Sequence, residues 1–335
     1  MMLSGVAQGA GHWAVVIHGG AGVIERKDMT PAQDQAYRRA MTRVANAAAE
    51  VLKAQGTSLD AVETAIRQME DDPLFNAGRG AVFAADGRNY LDAALMDGKN
   101  LQAGAVAGLT HTRHPISLAR AVMEKSPHVM LIGAQAEAFG QTVGIEQADP
   151  AFFYTERRWK SLEKYLKQHG LPVPERPAGV TPKPDPRAAL AHDEGKHGTV
   201  GVVALDMDGN IAAGTSTGGT TGKQWGRVGD SPIIGAGTYA SNSSCAVSAT
   251  GTGEYFIRLT VARDICARVE LGHMKLQAAV DEVIQHKLTA LGGDGGVIAL
   301  TPTGEIAWSF NTSGMYRAHV TDASPLQVGI YKDEL

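Results

Sequence analysis

Between Leu171 and His197 the chain carries Pro172, Pro174, Pro177, Pro182, Pro184 and Pro186, six of its 14 prolines, among charged residues and little apolar material. Proline fixes φ and lacks an amide donor, so neither a helix nor a central strand runs through such a stretch. Too little apolar surface is present to offset the entropy of ordering it. The 335 residues are thereby cut into two blocks, each with its own strand and helix signals. At this length two ordinary domains and one large layered domain are both open. On composition alone the stretch reads equally as a linker between domains or as an exposed arm. The core signal resumes without transition at Gly198-Thr199-Val200, where an apolar, β-branched run begins.

In the first block, Trp13 to His18 predicts a strand that stops at a tight turn over Gly19-Gly20-Ala21-Gly22. A helix follows. Thr30 suits the N-cap, Pro31 the first helical position and Gln33 a capping box, while Tyr37, Met41, Val44, Ala48 and Val51 form the apolar stripe and Gly56 the stop. A second helix over Ser58 to Glu70 turns Val62, Ile66 and Met69 inward. Ala81 to Ala85 and Asn89 to Met96 flank Asp86-Gly87 as a predicted hairpin, and Leu101 to Leu109 is a further strand. Helices are expected at Ser117 to Lys125, Gln135 to Gln141 and Phe152 to His169, around a short apolar run from His128 to Ile132.

In the second block, Val200 to Leu205 and Ile211 to Ser216 flank Asp208-Gly209, a second hairpin signal. Ile233 to Tyr239 and Ala246 to Thr250 are strand candidates, followed by helices over Glu254 to Val269 and Lys275 to Leu291. Val297 to Leu300 and Ile306 to Phe310 face each other across Thr303-Gly304 as the last two strands. Strands, helices and strands in each block imply an α/β (α+β) fold of two antiparallel sheets stacked between helices.

Thirty-one Lys and Arg against 35 Asp and Glu leave a formal charge of -4, so nothing favours nucleic acid or an acidic membrane, and the partner expected is a small molecule. Cys245 and Cys266 are too few for a disulfide framework and read as two ordinary, partly buried thiols of a reducing compartment. Met1 to Gly11 lacks a basic, apolar leader pattern, and no run of about 18 apolar residues occurs, so a soluble cytoplasmic protein is expected. The closing Lys332-Asp333-Glu334-Leu335 spells a retention signal, but without an entry signal it reads as coincidence.

His111 and His114 lack the spacing of a zinc site, and no glycine cluster ends in the Gly-Lys-Ser/Thr of a phosphate loop. Gly214-Thr215-Ser216-Thr217-Gly218 matches the G-x-S-x-G elbow of serine hydrolases. That elbow needs a following helix, and Gly219 to Gly229 is too glycine-rich to make one.

Thr199 offers other chemistry. An internal threonine has no base of its own. If the Gly198-Thr199 bond is cut, one residue carries both a hydroxyl nucleophile and an α-amine of pKa about 8. Gly198, without a Cβ, gives the attacking oxygen room and tolerates the strain of an N-to-O acyl shift.

His197-Gly198-Thr199-Val200-Gly201 is followed by Ser216-Thr217-Gly218-Gly219, by Gly226-Arg227-Val228-Gly229-Asp230-Ser231-Pro232 and by Ala249-Thr250-Gly251-Thr252-Gly253-Glu254. Leu74-Phe75-Asn76-Ala77-Gly78 and Met96-Asp97-Gly98 precede them. In this order the set resembles the isoaspartyl peptidase and plant-type L-asparaginase family of N-terminal nucleophile hydrolases.

The resemblance implies a single four-layer αββα domain over residues 1–335, self-cleaved into an alpha chain 1–198, with a loose tail over 171–197, and a beta chain 199–335. It implies Thr199 as nucleophile, Thr217 holding it in line, and Thr250 and Gly251 as the oxyanion site. Arg227 and Asp230 would take the α-carboxylate and α-ammonium of the substrate, a guanidinium fork and a carboxylate suiting a zwitterion. Gly218, Gly219 and Gly253 would let backbone approach the ligand, and Asn76 would contact the nucleophile region from the alpha chain. No cofactor is required for the reaction. A sodium ion on the backbone carbonyls of Met69, Glu70, Asp72, Phe75, Ala77 and Arg79 is implied, although Arg79 is a cation where the family commonly has aliphatic residues. The implied reaction is hydrolysis of L-asparagine and β-aspartyl dipeptides through an ester on Thr199, releasing L-aspartate, by an (αβ)2 heterotetramer. Two alternatives stay open: a glycosylasparaginase, which typically has aspartate where this chain has Gly198, and an uncleaved relative that only binds amino acids.

Overall fold

Several strands of this chain are apolar on both faces, the mark of sheets covered on each side, and the computed structural model shows what covers them. It describes residues 12–177, 179, 180, 185–191 and 198–335. The strands are β1 (Ala14–Gly22), β2 (Leu91–Asp97), β3 (Ala103–Leu109), β4 (Met130–Ile132), β5 (Val200–Leu205), β6 (Ile211–Thr217), β7 (Thr238–Ala240), β8 (Ala246–Gly251), β9 (Gly295–Leu300), β10 (Ile306–Phe310), β11 (Gly314–Thr321) and β12 (Gln327–Tyr331). The helices are α1 (Pro31–Lys53), α2 (Ser58–Glu70), α3 (Pro115–Lys125), α4 (Gly133–Thr142), α5 (Pro150–Phe153), α6 (Glu156–Gln168), α7 (Gly253–Leu259), α8 (Val261–Glu270) and α9 (Leu276–Asp281).

An eight-stranded sheet runs β12-β11-β1-β5-β6-β2-β3-β4 and a four-stranded sheet runs β10-β9-β8-β7. All pairs are antiparallel except β3 with the short edge strand β4. Strand alternation sorts the core into layers. Val15 and Ile17 of β1 and Val200, Val202 and Ala204 of β5 face α1 and α2. Val16, Val203 and Leu205 turn inward to meet Ile298 and Leu300 of β9 between the sheets. Val297 and Ala299 face the opposite way, onto Ile265, Val280 and Ile284 of the second helical layer. The four layers are helices, large sheet, small sheet and helices, the αββα sandwich the sequence implied.

α1 carries the expected Thr30–Gln33 capping box, and α2 has its own on Thr57 and Asp60. The left-handed residue ending α1 is Gln55 at φ 61°, beside the expected Gly56. Other expectations are corrected. Gly19 to Gly22 does not turn; β1 continues through it with a bulge between His18 and Gly20, paired to β11. Residues 81–90 form no paired strand: the Asp86-Gly87 turn is closed by the Ala84 N–H on the Arg88 carbonyl and the Gly87 N–H on the Ala84 carbonyl, and β2 begins only at Leu91. Residues 233–237 are turns, and only Thr238–Ala240 of that run is strand. The helix expected over 152–169 is two, and that over 254–269 is broken at Thr260, which sits at φ 48°. After α9 the helix widens into a π-helical turn over Glu282–Leu288. β11 and β12 escaped the sequence reading, since charged and polar residues interrupt their apolar alternation.

Cys245 and Cys266 are not thiols: they form a disulfide, fully buried between the start of β8 and α8. The proline-rich stretch is not loose in its described parts, where Arg176 pairs with Glu156, Asp185 with Arg79 and Arg187 with Asp72. His197 lies outside the described residues. At the other end, Glu334 is tied down by Arg38 at 2.7 Å and by the Ile330 N–H at 2.8 Å. Among the described residues no helix is long and apolar enough to cross a membrane.

Candidate active site

The start of β5, the ends of β1, β6 and β8, and the loops leaving β6 and β8 meet at one end of the sandwich. Thr199 stands immediately before β5 and is 7 % exposed. Its Oγ1 donates to Thr217 Oγ1 at 3.0 Å, and the same Thr217 oxygen accepts the Gly219 N–H at 3.0 Å. Both lone pairs of Thr217 are thus committed, which fixes the Thr199 hydroxyl in direction. On the other side, Gly198 lies against Gly20 of β1. A Cβ on Gly20 would fall 2.7 Å from Gly198 Cα, and its φ of 114° excludes most other residues. The next residue, Ala21, gives its N–H to Thr250 Oγ1 at 3.4 Å, so the end of β8 meets the same bulge that touches Gly198.

Thr250 and Gly251 close β8, with Gly251 paired to Gly295. Gly253 opens α7 where two charged groups converge: a Cβ there would lie 2.8 Å from Asp230 Oδ1 and 3.0 Å from an Arg227 Nη. Asp230 is buried, its Oδ2 has no hydrogen-bond partner among the described residues, and burial pushes its carboxyl up to about 7 against the pull of Arg227. Arg227 instead forks onto the half-exposed Glu254, through Nε and Nη2 at 2.9 and 3.0 Å. A buried carboxylate oxygen without a donor, beside a guanidinium with an unused edge, can accept an ammonium and a carboxylate together.

Among the described residues Asn76 makes no hydrogen bond to Thr199. It clamps the loop after Thr217, its Nδ2 donating to the Gly219 carbonyl at 2.7 Å and its backbone carbonyl accepting the Gly218 N–H at 3.0 Å. Ser216, one residue from Thr217 on β6, points to the opposite face by strand alternation. There it donates to Glu70 Oε1 at 2.6 Å, and burial pushes the Glu70 carboxyl up to about 8. No elbow forms around Ser216, because Gly214 to Thr217 is plain strand.

A family model described as asparaginase matches residues 11–330. The chain belongs to that family. It is 47 % identical to the isoaspartyl peptidase of Escherichia coli K12, over 97 % of this chain and 98 % of that one. It is 40 % identical to a probable isoaspartyl peptidase/L-asparaginase of Arabidopsis thaliana, over 96 % and 100 %. It is also 40 % identical to the plant-type L-asparaginase of Pyrococcus abyssi, over 92 % and 96 %.

In this asparaginase-family chain the turn after α2 offers oxygen donors of the kind that suit a hard cation. The Glu70 carbonyl crowds Gly78 and the Phe75 carbonyl crowds Gly80, so closely that a Cβ would fall at 2.3 and 1.9 Å. The carbonyls of Asp72 and Ala77 accept the N–H groups of Phe75 and Gly80 at 3.2 and 3.1 Å, each keeping a second lone pair, while that of Met69 accepts the N–H groups of both Asp71 and Asp72. The Arg79 side chain leaves the turn for Asp185, so its charge does not occupy the carbonyl cluster. Carbonyl oxygens of this turn are the ligand type such an ion takes.

Several neighbours of the site carried no legible signal. His18 is fully buried, bonds Ser248 Oγ at 3.1 Å, and is kept neutral by burial, which lowers it to about 3 although the Thr199 backbone offsets part of that. From Ser248 a hydroxyl chain continues through Thr215 at 2.7 Å to Thr238 at 2.6 Å and on to the Ser231 carbonyl at 3.1 Å, next to Asp230. Lys223 and Asp92 form a buried pair at 3.7 Å behind Gly219, with Lys223 donating to the Tyr90 carbonyl at 2.8 Å. Burial holds Asp92 above and Lys223 below their ordinary ranges, each countered by the other's charge. These residues are far apart in sequence, and the stacking of β1, β5, β6 and β2 on β8 and β7 joins them.

Proposed function

We propose that this chain is a self-processing isoaspartyl peptidase/L-asparaginase that works through Thr199. The observation that carries this is the Thr199 hydroxyl, held by Thr217 at 3.0 Å beside Gly198. In self-processing, Thr199 Oγ1 attacks the Gly198 carbonyl carbon, the Gly198–Thr199 C–N bond breaks as an ester forms, and the freed nitrogen takes up the proton. Water then opens the ester, giving chains 1–198 and 199–335 that stay one αββα unit.

In turnover the substrate's α-carboxylate lies on Arg227 and its α-ammonium on Asp230, with the backbone at Gly218, Gly219 and Gly253 allowing close approach. Thr199 Oγ1 attacks the β-carbonyl carbon while the Thr199 α-amine takes the hydroxyl proton and passes it to the leaving nitrogen. The developing oxyanion meets the Thr250 hydroxyl and the Gly251 N–H, donors worth about 3 kcal/mol each. Ammonia leaves from L-asparagine and a peptide amine from a β-aspartyl dipeptide. Water then hydrolyses the β-aspartyl ester and releases L-aspartate. Gly198 in place of aspartate disfavours the glycosylasparaginase alternative.

A sodium ion on the carbonyls of Met69, Glu70, Asp72, Phe75, Ala77 and Arg79 would brace the turn that carries Asn76, a structural contribution outside the chemical steps. The expected assembly is (αβ)2. A cytoplasmic home loses the support of two free thiols, since Cys245 and Cys266 are joined in a disulfide.

Intact mass and denaturing electrophoresis of purified protein test the cut, and kcat/KM for L-asparagine and a β-aspartyl dipeptide on matured enzyme tests the substrates. A single persistent 335-residue chain, or activity retained in Thr199→Ala, refutes the proposal.

A further inference from the structure

Residues 185–191, upstream of the proposed cut, are fastened to the turn after α2 by crossed charges. Arg79 of the turn donates to Asp185 Oδ2 at 2.9 Å, and Arg187 forks onto Asp72, with Nε donating to Oδ1 at 2.7 Å and Nη2 to Oδ2. Asp72 is buried, and Arg43 of α1 donates to its Oδ2 at 2.6 Å. Asp185 Oδ1 accepts the N–H groups of Arg187 and Ala188 at 2.9 and 3.2 Å, which starts the 3-10 turn Ala188–Leu190. Beneath it, Ala188 and Ala191 are buried, and Leu190 and Ala191 pack into the core under α1. An isolated surface ion pair contributes little. Here one carboxylate is buried and both pairs sit on an apolar footing, so the segment is a built attachment.

Its position gives it consequence. Ala191 precedes Gly198 by seven residues, a reach of at most about 24 Å. The turn it grips also carries Asn76, which clamps the loop beside Thr217. We infer that Asp185 and Arg187 are positioning residues for self-cleavage, clasping the arm to Arg79 and Asp72 so that the Gly198–Thr199 bond is held at the site. This rests on the self-processing reading above.

Without the clasp, the next fastening upstream among the described residues is Arg176 on Tyr154 and Glu156, at 2.6 and 2.7 Å, and the leash to Gly198 lengthens from seven residues to 22. Loop-closure scaling makes the productive arrangement about fivefold rarer.

The test follows conversion of full-length precursor into two chains by denaturing electrophoresis and intact mass, in the parent, D185R, R187E and the swap R79D/D185R. Cleavage slower by up to about fivefold is expected in D185R and R187E, each of which breaks one of the two pairs, with at least half of the lost rate recovered in the swap. Matured D185R keeps the parental kcat/KM for a β-aspartyl dipeptide. A merely structural role would instead lower melting temperature and matured activity together and gain nothing from the swap. Should R187E not fold, D185R and its swap carry the test, because Asp185 is partly exposed. Parental cleavage rates in D185R, or no recovery in the swap, overturn the clasp. A parent that never splits overturns self-processing itself, so the two failures are distinct.

Discussion

Asp230→Asn is expected to make the enzyme more stable while removing its grip on substrate. The Asp230 carboxyl is buried, lacks a partner on Oδ2 among the described residues and is pushed up to about 7. Moving a carboxyl from an ordinary value near 4 to about 7 corresponds to about 4 kcal/mol of unfavourable burial once it is ionised. The folded form holds its proton more tightly than the unfolded chain. Stability is therefore fully present below about pH 4, is lost as pH rises, and reaches its floor above about 7. The amide carries no charge, so the variant should exceed the parent by about 1–4 kcal/mol at pH 8 and by no more than about 1–2 kcal/mol at pH 5. The upper figure is reduced because the amide's own donors are also buried. Thermal melts of matured, ligand-free protein at the two pH values measure the difference. Binding moves the other way: the substrate ammonium loses its counter-charge, and kcat/KM should fall at least about a hundredfold. In the parent, KM should rise as pH drops below about 7, because protonated Asp230 cannot pair an ammonium. A variant no more stable than the parent at pH 8, or a parental KM flat from pH 5 to 8, refutes the reasoning.

Thr217→Val keeps the shape but removes the acceptor shared by Thr199 and the Gly219 N–H; kcat should fall about a hundredfold with KM moved much less. Ser216→Ala should cost about 1–3 kcal/mol in denaturant unfolding, since Glu70 Oε1 keeps only the Ile116 N–H, yet leave kcat/KM within about twofold. A large loss of activity there would revive the serine reading. His18, lowered to about 3, should show ring signals that do not titrate between about pH 4.5 and 8. Because its proton is bound more weakly in the fold, it withdraws stability as pH falls from about 6.5 toward 3. Cys245→Ala/Cys266→Ala opens a 21-residue loop and should cost about 3 kcal/mol of unfolding free energy, with a much smaller loss contradicting the disulfide.

The sequence by itself determined much of the secondary structure and the list of candidate residues. Local rules sufficed for α1 and α2, whose caps and apolar stripes sit within a few residues of one another, and for the Asp208-Gly209 hairpin of β5 and β6. Thr199, Thr217, Arg227, Asp230, Thr250 and Gly251 were legible because ordered short motifs surround them. Strands at the edges of that logic were not: β11 and β12 are specified by the neighbours they pair with, and Gly19 to Gly22 stays extended because β11 and the bulge accept it. Tertiary structure alone decided the rest. It united Cys245 with Cys266 across 21 residues, set His18 under Ser248 and turned Arg227 toward Glu254. It also fastened Asp185 and Arg187 to a turn more than a hundred residues earlier. Burial and pairing across such separations depend on how sheets stack, and no window of sequence contains both partners.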